Sequence, residues 1–198
     1  MPLWTAVHPS CIGFIDGTVR AICRPSRQQR FVYNGQKRKH ALKYQSVYTP
    51  DGIIRHFHGP VPGSRHDASL LSSSKLADEV SGLLDGGEVQ YVIYGDPGYA
   101  RLSFLLSPFQ GSALTTRHQA FNKKMSSVRV SVEWVFGDVL RYWAFTDYHK
   151  NQKLHLQAVG KIYHIAVVLT NVMTCLHGSQ TSRYFRLSPP SLRAYLHE

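Results

Sequence analysis

The sequence predicts an α/β domain with a mixed central sheet flanked by helices, and three observations carry that prediction. The first sixty residues are rich in strand-forming runs separated by turn residues. A nearly continuous apolar run, "VQYVIYGD" at 89–96, has the length and composition of a central buried strand. The second half carries two long segments whose apolar residues recur at helical spacing. Strands, a helix, a strand and further helices make a layered α/β architecture.

Each element has its own signal. "CIGFIDGTVRAICRP" (11–25) is rich in β-branched residues and stops at Pro25, so it reads as a strand. "HALKYQSVYTPDGIIRHFHG" (40–59) reads as two strands joined at the turn Pro50-Asp51-Gly52. "PGSRHDASLLSSSKLADEVSGLL" (62–84) is a loop entering a helix, with Ser64 or Asp67 as N-cap. Residues 107–124 are polar and irregular. Val128, Val132, Val135, Phe136, Val139 and Trp143 then form one helical stripe. Ile162, Ile165, Ala166, Leu169, Val172, Met173 and Leu176 form another.

The chain of 198 residues is long enough for one domain with a sizeable core, and no repeat or low-complexity segment divides it. Its 23 Lys+Arg against 12 Asp+Glu give a formal charge of +11, which points to a polyanionic partner, most simply nucleic acid. Cys11, Cys23 and Cys175 are widely spaced and form no CxxC pair, so neither a zinc knuckle nor a disulfide framework is expected, and a reducing compartment is. "MPLWTAVHPSC" does not read as a signal peptide. "IYHIAVVLTNVMTCL" is interrupted by His164, Thr170 and Asn171 and reads as too short for a membrane span. The expected location is nuclear or cytoplasmic, away from membranes.

With so few acids, each can be weighed. Asp16 lies inside an apolar strand, where a charge is costly unless paired or bound. Asp96 ends the central strand, although Asp-Pro reads equally as a turn or helix entry. Glu133 falls roughly 110° from the centre of the valine stripe, on its border. The plainer reading of Glu133 is an ion pair with Arg129 one turn earlier. Three converging acids would repel one another, and a divalent cation removes that penalty. Oxygen-only ligands favour Mg²⁺ or Mn²⁺ over zinc. Beside a basic surface, the chemistry suggested is two-metal phosphodiester cleavage.

Arg24, Arg27, Arg30, Lys37, Arg38, Lys39 and Lys43 fall in a window with no acid between Gly17 and Pro50. Phe31, Tyr33 and Tyr44 interleave with them as candidate stacking partners for bases. The pattern reads as a phosphate track, against the plainer reading of a solvated loop and a lysine-guarded edge strand. "QKRKH" is also a weak match to a nuclear-import signal. His56 and His58 have H-x-H spacing but read as ordinary strand histidines, because nothing nearby completes a zinc site.

"FIDGT", "PGSRHDASLL", "YGDPGYA", "FNKKMSSVRVSVEWVFG" and "LHLQAVGKIYHIAVVLTNV" occur here in the order seen in Harbinger-type DDE transposases, which the chain resembles over about residues 10–178. The resemblance implies a ribonuclease H-like fold forming a single catalytic domain over 1–198. It matches Asp16, Asp96 and Glu133 to the three catalytic, metal-binding acids, which would hold two Mg²⁺ or Mn²⁺ ions, and His66 and Asp67 to a supporting pair. Pro97 stands where a serine is common and Trp134 where a basic residue is common; neither removes a ligand. Only 15 residues precede Asp16, where family members carry a helix-turn-helix-like DNA-binding region, so the expectation is a core without that reader. The function implied is a metal-dependent DNA endonuclease or transposase-like domain; the alternative is a domesticated, catalytically silent DNA- or protein-binding module. The partners implied are DNA, a separate DNA-binding accessory protein and a second copy of the chain.

Overall fold

In the computed structural model the described residues are 10–84, 91–99 and 101–197. The chain begins with strand β1 (Cys11–Ala21), then helix α1 (Gln29–Val32), strands β2 (Tyr33–Asn34), β3 (Lys39–Tyr48) and β4 (Ile54–Pro62), and helices α2 (Asp67–Ser73) and α3 (Leu76–Leu84). Strands β5 (Val92–Tyr94) and β6 (Leu105–Leu106) follow, then helices α4 (Thr116–Arg129), α5 (Ser131–Tyr142), α6 (Val159–His177), α7 (Gln180–Phe185) and α8 (Leu192–Leu196).

β1 is the hub of the sheet. It pairs antiparallel with β3 on one side, from Phe14↔Tyr48 to Ala21↔Ala41, and parallel with β5 on the other. β3 carries β4 and the short β2 antiparallel, and β5 carries β6 parallel. The order β4-β3-β1-β5-β6, antiparallel on one side of β1 and parallel on the other, is ribonuclease H-like. The β3–β4 turn closes as the sequence suggests: the Asp51 carboxylate accepts the Ile53 N–H at 3.1 Å, and Gly52 takes φ 87°, a conformation that favours glycine.

Successive residues of a strand face opposite sides of the sheet, and β1 builds a core on each. Phe14 packs with Tyr44, Tyr48, Val132, Val135, Val139, Tyr163 and Phe185 under α4–α7. Ile15 packs on the other face with Val47, Leu76, Val80, Ile93 and Leu105 under α3. Asp16 therefore shares the face of Phe14, and Gly17 the face of Ile15.

Several expected elements differ. The first strand ends at Ala21 rather than Pro25. The segment 62–84 holds two helices, broken where Lys75 takes φ 55°, and α2 begins after His66 rather than at a Ser64 or Asp67 cap. Ser64 instead donates its hydroxyl to the Phe31 carbonyl at 2.7 Å. The irregular stretch after residue 107 becomes helical from Thr116, whose preceding residue Thr115 caps the helix through the His118 N–H. The central strand forms at 92–94; residues 89–90 of the apolar run lie outside the described residues, as does most of "MPLWTAVHPSC".

The valine-striped helix is interrupted at Val130, giving α4 and α5. Ser131 explains the break. Its hydroxyl returns to the Val128 carbonyl at 2.8 Å and lies 3.2 Å from the Tyr48 hydroxyl, so a local side-chain bond competes with the helical ladder. The stripe itself holds, with Val128, Val132, Val135, Phe136 and Val139 all buried.

α6 is turned relative to its apolar residues. Ile165, Leu169 and Leu176 are exposed, whereas Thr170, Asn171 and Thr174 are buried. The polar groups face inward because they have partners there. Asn171 accepts the Ile54 N–H at 3.0 Å and donates to the Ile54 carbonyl at 2.9 Å, imitating a neighbouring strand. Thr170 accepts the Trp143 indole N–H at 3.0 Å. At 19 residues α6 is also long and apolar enough to cross a bilayer by length and composition, contrary to the shorter span expected; these inward hydrogen bonds mark it as a core helix.

Candidate active site

Register places the two aspartates. In the parallel pair β1–β5, Phe14 lies opposite Tyr94. Two residues further along come Asp16, still within β1, and Asp96, just past the end of β5, close enough that the Asp96 charge bears on Asp16. Asp96 is also a turn residue: its carboxylate accepts the Gly98 N–H at 2.9 Å. Pro97, having no N–H, leaves Gly98 as that donor. The turn reading of Asp96 is the one these contacts describe, since β5 itself ends at Tyr94.

Asp16 is partly buried, and its carboxylate accepts a hydrogen bond from the Arg129 guanidinium at 3.1 Å. Burial pushes the Asp16 carboxyl above its ordinary value. The Arg129 charge and hydrogen bond pull it back, a main-chain bond from Gly17 helps, and the nearby Asp96 charge pushes it up again. The cation that meets Asp16 thus comes from the end of α4.

Glu133 sits in the first turn of α5, exposed, one turn beyond Arg129. The structure does not bring it to the aspartates: among the described residues no three His, Cys, Asp or Glu side chains lie close enough to hold a metal ion. The Arg129–Glu133 pair expected as the plain alternative is replaced by Arg129–Asp16. Asp16 and Asp96 still fit a hard divalent cation. They are neighbouring oxygen donors, and among the described residues the cation paired with Asp16 is a partly exposed arginine. The Ser46 hydroxyl, opposite Asp16 in register, is buried without a partner.

His66 and Asp67 lie elsewhere. His66 is exposed at the α2 N-terminus. Asp67 is bound at 2.9 Å by the ammonium of Lys43, which also donates to the Arg65 carbonyl at 2.8 Å. A Cβ added to Gly17 would lie 3.5 Å from the Asp67 carboxylate and 3.8 Å from the Tyr99 hydroxyl. Asp67 and Tyr99 therefore back β1 on the face opposite Asp16. Sequence reasoning missed Tyr99, a buried phenol with no hydrogen-bond partner on which the charges of Asp16, Asp67 and Asp96 all bear. The signal was its place three residues after the strand-ending aspartate.

The basic window divides. Arg24, Arg27, Arg30, Lys37, Arg38 and Lys39 are exposed, with the half-exposed rings of Phe31 and Tyr33 beside them. Lys43 is buried and committed to Asp67. Tyr44 is fully buried against Phe57 and Tyr163 and has no face free for a base. His56 and His58 behave as strand histidines, contacting the Ser74 carbonyl at 3.1 Å and the Ser73 hydroxyl at 3.0 Å.

A five-strand path of ribonuclease H-like order carries Asp16 in the middle of β1 and Asp96 two residues past the end of the neighbouring parallel strand β5, and comparison with known families agrees with that fold. The family described as "DDE superfamily endonuclease" matches residues 15–171, and the chain belongs to it. The chain is also similar to "Protein ALP1-like" of Arabidopsis thaliana, 25% identical over 146 residues, which cover 68% of this chain and 36% of that protein. The chain thus spans little more than a third of that relative's length. No solved structure matches it.

Proposed function

We propose that this chain is a divalent-metal-dependent DNA endonuclease, the catalytic core of a transposase-like protein. The observation that carries the reading is the proximity of Asp16 on β1 to Asp96, just past the adjacent parallel strand β5, within a DDE-family fold. Asp16 and Asp96 would hold Mg²⁺ or Mn²⁺, with Glu133 joining them from α5. The ions supply Lewis acidity for attack on, and departure from, a phosphodiester. The chain's own residues do the rest. Arg129 balances the Asp16 charge until a cation enters. The main-chain N–H of Gly98 orients the Asp96 carboxylate. Lys43, Asp67 and Tyr99 brace β1 from behind. The exposed cations from Arg24 to Lys39, with Phe31 and Tyr33, would bind the phosphates and bases of DNA in the nucleus.

The separation of Glu133 from the aspartates, with Arg129 on Asp16, favours a second reading, a silent nucleic-acid-binding module. Nicking of supercoiled plasmid in Mg²⁺, Mn²⁺ or EDTA separates the two. The nuclease reading requires metal-dependent nicking that Asp16→Asn abolishes. Nicking by that variant at the parental rate, or none by the parent, rejects it.

A further inference from the structure

Between Asp96 and Glu133 the chain carries no acidic residue, yet it has Arg101, Arg117, Lys123, Lys124 and Arg129. Folding gathers three of these cations around two adjoining clefts. The first, about 540 Å³, runs from Pro97 and Gly98 past Arg101 to the loop 107–110. The second, about 580 Å³, lies between Arg101, Phe109 and the α4 residues Arg117, His118, Phe121 and Lys124. Arg101 and Phe109 line both and form the shared wall. Because Gly98 also holds the Asp96 carboxylate, the groove opens beside the acid pair.

The wall is built in advance of any ligand. The Arg101 guanidinium carbon lies 4.1 Å from the centroid of Phe109, and the His118 ring stacks on Phe109 at 4.0 Å and 12°. Two groups that close to one ring must take its opposite faces. Arg101 also donates Nε–H and Nη2–H to the Ser107 carbonyl at 3.2 and 2.9 Å, which leaves about three of its five N–H donors free. Asn122 fixes Phe109 further by accepting its N–H and donating to its carbonyl, each at 2.9 Å. A stacked, tethered guanidinium loses little freedom on binding an anion.

We propose that this groove carries a single nucleic-acid strand away from Asp16 and Asp96. Arg101, Arg117 and Lys124 bind its phosphates, and the planes of Arg101 and His118 stack its bases. The occupant follows from chemistry. Among the described residues no acid lines either cleft, cations and flat groups alternate along them, and clefts of this volume admit nucleotides but not a duplex. Arg117 and Lys124, seven residues apart, lie on one face of α4 about 10 Å apart along its axis. The groove is distinct from the exposed basic surface at Arg24 to Lys39, and the proposal rests on the nucleic-acid part of the reading above.

The test uses the full chain in EDTA with labelled oligothymidine, followed by fluorescence anisotropy across a salt series. The double variant Arg117→Glu, Lys124→Glu is expected to weaken binding at least ten-fold. Its neutral counterpart, Arg117→Gln, Lys124→Gln, is expected to lower the slope of log affinity against log salt by about 1.4, the share of two phosphate contacts. Arg101→Gln is expected to weaken binding as well, and the single strand is expected to lose more than a duplex of the same sequence. Lys37→Glu, Lys39→Glu reports on the other basic surface and is expected to spare oligothymidine. Unchanged oligothymidine binding in well-folded Arg117/Lys124 variants overturns the groove, as does equal loss for strand and duplex. Plasmid nicking tells the two proposals apart. A parent that nicks while these variants bind normally removes the groove and leaves the nuclease. A parent that binds through the groove but never nicks does the reverse.

Discussion

The Arg129 guanidinium donates to the Asp16 carboxylate at 3.1 Å, across 113 residues of chain, at the face where a divalent cation would bind. Its Nε–H is buried without a partner, so the arginine is only partly satisfied there. An ion pair of this kind competes with a metal for the same oxygen. Arg129→Gln removes the competitor and also lets the Asp16 carboxyl rise further. Measurement at pH 8, far above the ordinary aspartate range, keeps the second effect small, so the first is expected to win. Mn²⁺ affinity, read by calorimetry at pH 8, is expected to tighten several-fold in Arg129→Gln and to vanish in Asp16→Asn. Affinity unchanged or weakened in Arg129→Gln would show that the arginine is no competitor.

Acidification is expected to act through the same pair. Burial holds the Asp16 carboxyl above its ordinary value, so it takes up a proton at a higher pH than an exposed aspartate does. Nicking is then expected to fall on the acid side before an ordinary aspartate would titrate, and Arg129→Gln, which loses the downward pull, is expected to move that limb to higher pH. Folding stability runs the other way. A raised folded-state value means that ionising Asp16 costs the native state, and this cost appears as pH rises through that value. Asp16→Asn should therefore melt no lower than the parent at neutral pH. A limb that ignores Arg129, or a marked drop in melting temperature, contradicts the assignment.

Asn171 ties α6 to the main chain at Ile54 through both atoms of its amide and reaches the Tyr195 hydroxyl at 3.1 Å. Asn171→Ala leaves the buried N–H and carbonyl of Ile54 unpaired. The expected loss is about 2–4 kcal/mol, or roughly 5–15 °C in melting temperature. Asn171→Asp keeps the acceptor but not the donor and should fall between the two. A melting curve unchanged in the alanine variant would show that these groups find other partners.

Much of this was legible in the chain. The strand runs at 11–21, 39–48 and 54–62 declare themselves through β-branched residues and one turn, and an ion inside the first of them marks Asp16 for attention. Asp96 is readable because an apolar run stops on it. What could not be read depends on contacts between distant residues. Periodicity alone turns α6 the wrong way, because it cannot know that Ile54 offers Asn171 a partner. The same limit hides the break at Val130, set by Ser131, Val128 and Tyr48 together. Lys43 looked like one more surface cation until folding gave it Asp67. Sequence spacing offers Arg129 only Glu133, its neighbour one turn on, whereas folding gives it Asp16.

The break at Val130 sets Glu133 on a different kind of support from the two aspartates. Asp16 rides on a hydrogen-bonded strand, and Asp96 follows two residues after β5, its carboxylate held by the Gly98 N–H. Glu133 instead rides on the first turn of α5, just after the interruption at Val130. Substitutions that straighten or loosen residues 128–131 are therefore expected to shift Glu133 while leaving Asp16 and Asp96 where the sheet and the Gly98 turn hold them.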